Sequence, residues 1–428
     1  MEALQAIVDA IIGFFRTPPF LLGFIAIVGL ILQKKKIAEI VRGGVMAAFG
    51  MAIIQIGVDT LVGSIAPLND LYQSIYGSPD DVPGMGEAAY TEQYGSDIGY
   101  AMVLGYILHL LIARFTKVKT VFLTGHFIWW MPFIFVAIGV GAGWSGAGLV
   151  IWGAILSALY WSFMPYFMRP YSRKVIGDDS FTLGHPSAIL ALISGTIAKY
   201  VGNTENSTED LELPKGLSFF RETSIMGAIV IFITFIVSGL LVGDGFSDIG
   251  VEQALFPYAL EQGLQFGIGL IILLQGVRLL VNEIVPAFQG ISEKLIPDAQ
   301  PAYDAPLFFN FKPNALLIGF IVAMITSTIV IILSNSFNLF GVMLIPLVIT
   351  SFFECGTASI MAEGQGGMRG AIIGTIAAAI VMPLLLGVSL FFFSETIQDW
   401  MLIFGGNDMS LWGTVTGFIA ELFSGITG

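Results

Sequence analysis

The chain has 428 residues and a formal net charge of −13, from 18 Lys or Arg against 31 Asp or Glu. It is 56% hydrophobic and only 11% charged, with a mean hydropathy of +0.85. A soluble domain carries about 25% charge, so too little is present to coat a globular surface in water.

No basic stripe with interleaved aromatics occurs, which argues against a nucleic-acid partner. The single cysteine, Cys355, excludes an intrachain disulfide and a Cys-pair metal site. Three histidines with no HExxH-like cluster give no reason to expect a metal, and no cofactor is expected.

Residues 1–15 lack the basic start and small-residue cleavage site of a secretory signal. They read as an interfacial amphipathic segment. A membrane helix needs about 20 mainly apolar residues. Windows of that kind predict spans at 18–33, 43–66, 98–115, 120–140, 145–167, 225–243, 262–285, 316–335, 337–353 and 371–393. Two shorter apolar pieces, near 185–202 and 410–425, read as re-entrant hairpins or short spans. Irregular backbone at membrane depth is tolerated only where protein or a wet cavity covers it, so these pieces point to a substrate site.

Basic loops hold Lys34, Lys35, Lys36 and Arg42; then Arg114, Lys117 and Lys119; then Arg169, Arg173 and Lys174. Intervening loops are acidic, with Asp80, Asp81, Glu87, Glu92 and Asp97 in one and Asp244, Asp248 and Glu252 in another. Lys and Arg mark the cytoplasmic side, which places the N-terminus outside. The polar stretch 203–222, with Lys215 and Arg221, is cytoplasmic only if 185–202 turns back without crossing.

GVDTLVGSIAP at 57–67 and GVRLLVNEIVP at 276–286 share GVxxLVxxIxP at an offset of 219. Gly99-Tyr100 and Gly319-Phe320 follow at an offset of 220. A common offset over half a chain signals duplication. Five full spans in the first copy turn the second upside down, the inverted repeat of many transporters, with the site near the midplane. The expected architecture is an all-α polytopic membrane protein. Each half has about five transmembrane helices plus a re-entrant or short hairpin, with halves at 1–203 and 204–428.

Polar residues within this pattern are site candidates. His126, in TVFLTGHFIWWMPF, can donate and accept hydrogen bonds at once. It lies beside Thr124, also a candidate substrate contact, and beside Trp129 and Trp130, whose indoles can stack on a ring or anchor an interface. His185 opens the suspected hairpin before Pro186, which removes a backbone donor. His109 has apolar neighbours and reads as a packed residue. Asp304, in QPAYDAPLFFNFKPNA with Asn310 and Asn314 near, can accept two hydroxyls or act as a general base. Glu354 ends an apolar run, where a carboxylate must be paired or wet. Glu363 belongs to a Gly-rich cytoplasmic turn. Arg278, Glu283 and Asp59 lie on the repeated helices, where charge serves transport or pairing. Gly364, Gly366 and Gly367 lack the GKS or GKT of a nucleotide loop.

TVFLTGH at 120–126, FTLGH at 181–185, GVRLLVNEIVPAFQGISEKLIPDAQPAYD at 276–304 and FKPNALLIGF at 311–320 carry a family resemblance over nearly the whole chain. The sequence resembles the membrane-embedded IIC component of the ascorbate-specific phosphotransferase system and its galactitol relative. That resemblance implies a homodimer in the bacterial inner membrane, with a substrate-holding core domain and a V-shaped dimerisation domain. It implies ascorbate entering from the periplasm and a phosphoryl group arriving from a cysteine of a separate IIB protein, itself supplied through IIA. Substrate-binding residues would be His126, His185 and Asp304, with a contribution from the region around Ala88 to Glu92. In one relative within that family glutamines follow the second histidine, and here Pro186-Ser187 stand instead. A lost amide changes which hydroxyl patterns a site accepts, which leaves ascorbate, another sugar acid or a pentitol-like compound open. Asp304 would be catalytic, orienting or deprotonating the accepting hydroxyl, and Glu354 is a further candidate contact.

The competing reading is an ion-coupled secondary transporter using Glu354, Asp304 or Glu283 as proton carriers. A purely structural membrane protein is a third, disfavoured by the polar and irregular pieces inside the apolar runs.

Overall fold

The computed structural model describes residues 13, 17–76, 84–211, 222–243, 245–398 and 405–427. Apart from Gly13, the expected interfacial segment 1–15 lies outside the described residues, as do Asp80, Asp81, Lys215, Arg221 and Asp244.

In hydrocarbon every backbone donor and acceptor needs an internal partner, so the spans are helices. In chain order the longer helices are α1 (Pro18–Leu32), α2 (Ile37–Tyr76), α3 (Glu87–Phe115), α4 (Gly125–Gly141), α5 (Gly146–Ile176) and α6 (Ala188–Val201). They continue with α7 (Thr223–Val242), α8 (Leu255–Lys294), α9 (Pro313–Ser336), α10 (Gly356–Phe393) and α11 (Asp408–Thr427). Among the described residues 7 helical stretches are long and apolar enough to cross a bilayer. The chain is a multi-pass membrane protein built almost wholly of helices.

The expected span 337–353 needs correction. Residues 337–347 are not helical. Asn335 closes a turn there, donating to the Leu344 carbonyl at 2.8 Å and accepting from its N–H at 2.9 Å. Helix resumes only at Val348 and continues through a π turn, Ser351–Cys355, into α10. The window 371–393 is the second arm of a helical hairpin. Gly366 (φ −148°) and Gly367 (φ 59°, ψ −157°) break α10. A Cβ on Gly374 would lie 3.0 Å from Cβ of Ala362, atoms that a straight helix would hold about 18 Å apart at 1.5 Å per residue. The stretch Val348–Phe393 therefore reverses at Gly366-Gly367.

The expected helix 120–140 also begins differently. Thr120–Phe122 is a strand, β1, which pairs in parallel with β3 (Gln300–Tyr303); β3 pairs in parallel with β2 (Thr182–Leu183). The order is β1-β3-β2. Each strand follows the end of a long helix (α3, α5 or α8), so all three enter the protein from one end.

The strand edges would otherwise leave backbone groups unpaired, and side chains of α3 and α5, with Gln300 of β3, supply partners. Tyr106 donates its hydroxyl to the Phe122 carbonyl at 2.9 Å. His109 Nε2 accepts the Phe122 N–H at 3.0 Å, and Nδ1 lies 2.8 Å from Ser162 Oγ. On the other edge the Leu183 N–H donates to Ser172 Oγ at 3.2 Å, and Gln300 donates to the Phe181 carbonyl at 2.9 Å. His109 is thus packed, as its neighbours in sequence imply, but as an edge partner for a strand. His109→Leu strands a buried N–H, which costs about 1–3 kcal/mol per orphaned group. The expected result is a lower unfolding midpoint in detergent; an unchanged midpoint would refute the edge role.

β2 carries the chain inward and α6 brings it back. Lys199 Nζ sits 4.0 Å above the Tyr171 ring near the end of α5, and Gly195 packs on the same ring. At 14 residues, α6 is about 21 Å long and falls short of the ~30 Å hydrocarbon layer.

The segment beyond α6 covers the α10 reversal. Asn203 N–H donates to the Gly366 carbonyl at 2.8 Å, and Met368 N–H to the Asn206 carbonyl at 2.7 Å. Beside it Lys312 pairs with buried Glu363 at 3.0 Å, and Ser207 donates to the same carboxylate at 2.5 Å. Glu209 Oε1 accepts the Asn314 and Ala315 N–H groups at 3.0 and 3.4 Å, capping α9 from outside. Burial raises the Glu209 carboxyl above its ordinary value, and its hydrogen-bond donors pull it back.

Candidate functional site

A cavity of about 380 Å³ opens between α2 and the ends of the irregular segments. One wall is the face of α2 bearing Met51, Ile54, Gln55, Val58, Asp59 and Val62. Opposite lie His126 and Phe127 at the start of α4, His185 after β2, Asp304 after β3, and Phe353-Glu354 in the π turn. The parallel sheet explains the convergence. Neighbouring strands lie about 4.8 Å apart, so residues just past their inner ends meet.

Asp304 stands between the two histidines. Its Oδ2 is 3.7 Å from His126 Nε2 and its Oδ1 is 3.7 Å from His185 Nε2. Both gaps exceed a hydrogen bond, so the carboxylate stays open to a ligand. Oδ1 also accepts the Ala305 N–H at 2.8 Å, which fixes the carboxylate plane.

The His185 tautomer follows from its neighbours. Nδ1 lies 3.1 Å from the Ser187 N–H and accepts from it, so the ring proton sits on Nε2, facing Asp304. The Phe127 ring stands edge-on to His185 with centroids 5.0 Å apart. Phe127 and Phe353, not Trp129 or Trp130, are the aromatics among the described residues that line the cavity. Trp129 is buried and Trp130 packs on Phe133 at 4.9 Å, because helical rotation turns them away.

Thr124 is buried and donates its hydroxyl to the Gly184 carbonyl at 2.6 Å. It ties the start of α4 to the turn that carries His185. Glu354 is buried, accepts a hydrogen bond from Asn407 Nδ2 at 3.0 Å through Oε1, and leaves Oε2 without a partner. No residue of 87–92 is among the described residues lining the cavity. Tyr90 instead packs between Tyr94 and Phe133, at 4.9 and 5.0 Å.

Glu283 pairs with Arg42 at 3.0 Å and is not among the lining residues. Cys355 is buried with Sγ 3.7 Å from Met382 Sδ. Among the described residues no group of three or more His, Cys, Asp or Glu is placed to hold a metal.

Behind the cavity the starts of α6 and α11 meet. Asp408 Oδ1 accepts the Ile189 N–H at 2.6 Å, and Asp408 N–H donates to the Pro186 carbonyl at 2.8 Å. Tyr160 donates to Asp408 Oδ2 at 2.9 Å. The short apolar piece near 410–425 is α11, whose start is buried behind the cavity.

A family model described as the PTS system sugar-specific permease component matches residues 13–419. The chain belongs to that family. Its members are sugar-specific permease components of PTS systems. The chain is also similar to the ascorbate-specific PTS system EIIC component of Mycoplasma pneumoniae (strain ATCC 29342 / M129 / Subtype 1), with 26% identity over 415 residues. The alignment takes in 84% of this chain and 63% of that relative, so the chain spans less than two thirds of the relative's length.

Sequence reasoning named His126, His185, Asp304 and Glu354, and this permease component places all four on one cavity. It overlooked Gln55, whose half-buried side chain also lines it, and the supporting pair Asn407-Asp408. A usable signal existed for that pair: α6 starts at 188 and α11 at 408, the same separation as the Gly99 and Gly319 repeat.

Proposed function

We propose that this protein is the IIC permease of a carbohydrate phosphotransferase system, taking a small polyhydroxylated substrate from outside and presenting it for phosphorylation by a phospho-cysteine IIB protein. The observation that carries this reading is Asp304 held open between two imidazoles, at the meeting point of three inward strands in a member of the permease family. Ascorbate is the substrate in the printed name of the Mycoplasma relative. Ascorbate, another sugar acid or a pentitol-like compound is the substrate class proposed for this chain.

The two repeated segments and the paired starts of α6 and α11 support two inverted copies, at 1–203 and 204–428. On that plan the cavity belongs to a core domain that moves against a V-shaped dimerisation domain, as a homodimer in the bacterial inner membrane with the N-terminus outside. His126 and His185 hold hydroxyls of the substrate, with Thr124 and Glu354 as further candidate contacts. In the transfer step a substrate hydroxyl attacks phosphorus, the S–P bond breaks with the thiolate leaving on IIB, and the hydroxyl proton passes to Asp304. The negative charge on the product then opposes its return through the membrane.

Proteoliposomes holding this chain, with purified IIB phosphorylated through IIA, test the proposal. Labelled phosphate should appear on internalised carbohydrate only when phospho-IIB is present. Accumulation of unmodified solute driven by a proton or sodium gradient, with no IIB added, would support the ion-coupled reading instead.

A further inference from the structure

Phosphoryl transfer is catalysed mainly by positioning and by positive charge beside the moving group. No Lys or Arg is among the described residues that line the cavity holding Asp304. Arg278 stands nearby without an assigned task. It is exposed, lies well inside α8, and forms no ion pair among the described residues. Gln275 and Asn282 are exposed on the same face, so a polar stripe runs along a helix apolar enough to cross the bilayer. An unpaired charge on such a helix is costly in hydrocarbon and marks a wet pathway by default.

The crossing of α2 and α8 relates that stripe to the cavity wall. A Cβ on Gly50 or Gly57 would strike the backbone of Leu280 or Leu273. One on Gly269 or Gly276 would strike the backbone of Leu61 or Ile54. The offset of 219 that relates the GVxxLVxxIxP segments turns the first pair of contacts into the second. The antiparallel crossing is thus its own image when the two helices exchange places. Under the same exchange Gln55 becomes Leu274, and Asp59 becomes Arg278.

Gln55 and Asp59 line the present cavity. The loop after Asp304 already touches their counterparts' face, where Asn310 donates to the Leu274 carbonyl at 3.1 Å. Arg278 is one turn further along, about 6 Å. It lies toward the end of α8 that packs on the first basic loop, where Gln33 donates to the Pro286 carbonyl at 2.7 Å and Arg42 pairs with Glu283. On the orientation proposed above, that end is cytoplasmic. Inverted copies move against each other around a fixed site as access alternates. A site turned from α2 toward α8 would meet Arg278 where it now meets Asp59.

We propose that Arg278 is the cation that meets the phosphoryl group when bound carbohydrate faces the cytoplasm. The inference rests on the permease reading above and adds a catalytic residue to it. The substrate hydroxyl oxygen bonds to phosphorus, and the S–P bond breaks with its electron pair kept by the IIB thiolate. Asp304 takes the hydroxyl proton. The guanidinium forms no covalent bond; its planar fork donates to two phosphoryl oxygens and offsets their charge.

The test is single-turnover transfer from phospho-IIB by the full-length protein in detergent, with ascorbate and a pentitol as probes. Arg278→Gln should cut transfer at least about a hundredfold, the loss on removing one charge-stabilising donor. Equilibrium binding of the same probe, measured without IIB, should change less than about threefold. Arg278→Lys keeps the charge and loses the fork, and should still fall about tenfold. Arg278→Ala should regain transfer when guanidinium ion is added at low concentration, a rescue that a purely structural arginine does not give.

Wild-type transfer in the Gln or the Lys variant would overturn the inference and leave the cation to IIB. Equal losses of binding and transfer, or a changed oligomeric state without guanidinium rescue, would make Arg278 structural and overturn it too. These results leave the permease reading standing. A wild-type chain that passes no phosphate from phospho-IIB to either probe would remove that reading, and this inference with it.

Discussion

Replacing Asp304 with Asn is expected to cut phosphoryl transfer by about a hundredfold or more while the protein stays folded, the range that a positioned general base supplies. The substitution keeps the shape and one acceptor oxygen. It removes the only group between the two imidazoles that can take up a proton. Little structural penalty is expected, because the carboxylate makes one short internal hydrogen bond, to the Ala305 N–H. Both histidine contacts are longer, at 3.7 Å. Single-turnover transfer from phospho-IIB to bound carbohydrate measures the effect. Carbohydrate binding measured in parallel separates lost chemistry from lost affinity. Transfer at the wild-type rate would remove Asp304 as the base and leave it a binding residue.

The largest effect on stability is expected from Gly367→Ala. Gly367 has φ 59° and ψ −157°, a backbone region that essentially only glycine occupies and that costs another residue about 1–3 kcal/mol. A Cβ there would also run into the carbonyl oxygens of Asn203 and Asn206, and forcing that overlap adds about 1–3 kcal/mol. The two carbonyls cannot retreat freely, since that of Asn206 accepts the Met368 N–H and Asn203 is bonded to Gly366. The expected outcome is loss of monodisperse protein or a sharply lowered unfolding midpoint. Gly13→Ala, at a position with open space around it, serves as the neutral control. Equal stability of the two variants would mean that the hairpin turn is not as tight as described.

Much of this was legible in the sequence because the bilayer imposes one dominant rule. Long apolar windows such as 262–285 fall inside real helices, here α8. The turn-back of 185–202 follows from where the cations lie. What was not legible depends on contacts made at a distance. TVFLTG at 120–125 has the apolarity of a helix start, and only pairing with Gln300–Tyr303 makes it a strand. The run 337–353 is apolar enough to span, yet Asn335 folds it into a turn. At the site, the histidines and Asp304 were accessible through motif resemblance. Asn407 was not, because GGND reads as loop punctuation and its role appears only when α11 is laid against Glu354.

The hydrogen bonds that fasten Asp408 to Ile189 and Pro186 also tie two parts of the site's surroundings to each other. The turn bearing His185 and the turn bearing Asn407, with Glu354 attached to it, are clamped across the middle of the protein. Neither can slide without dragging the other. On the transport reading proposed above, the two clamped turns would shift past α2 together and not one after the other.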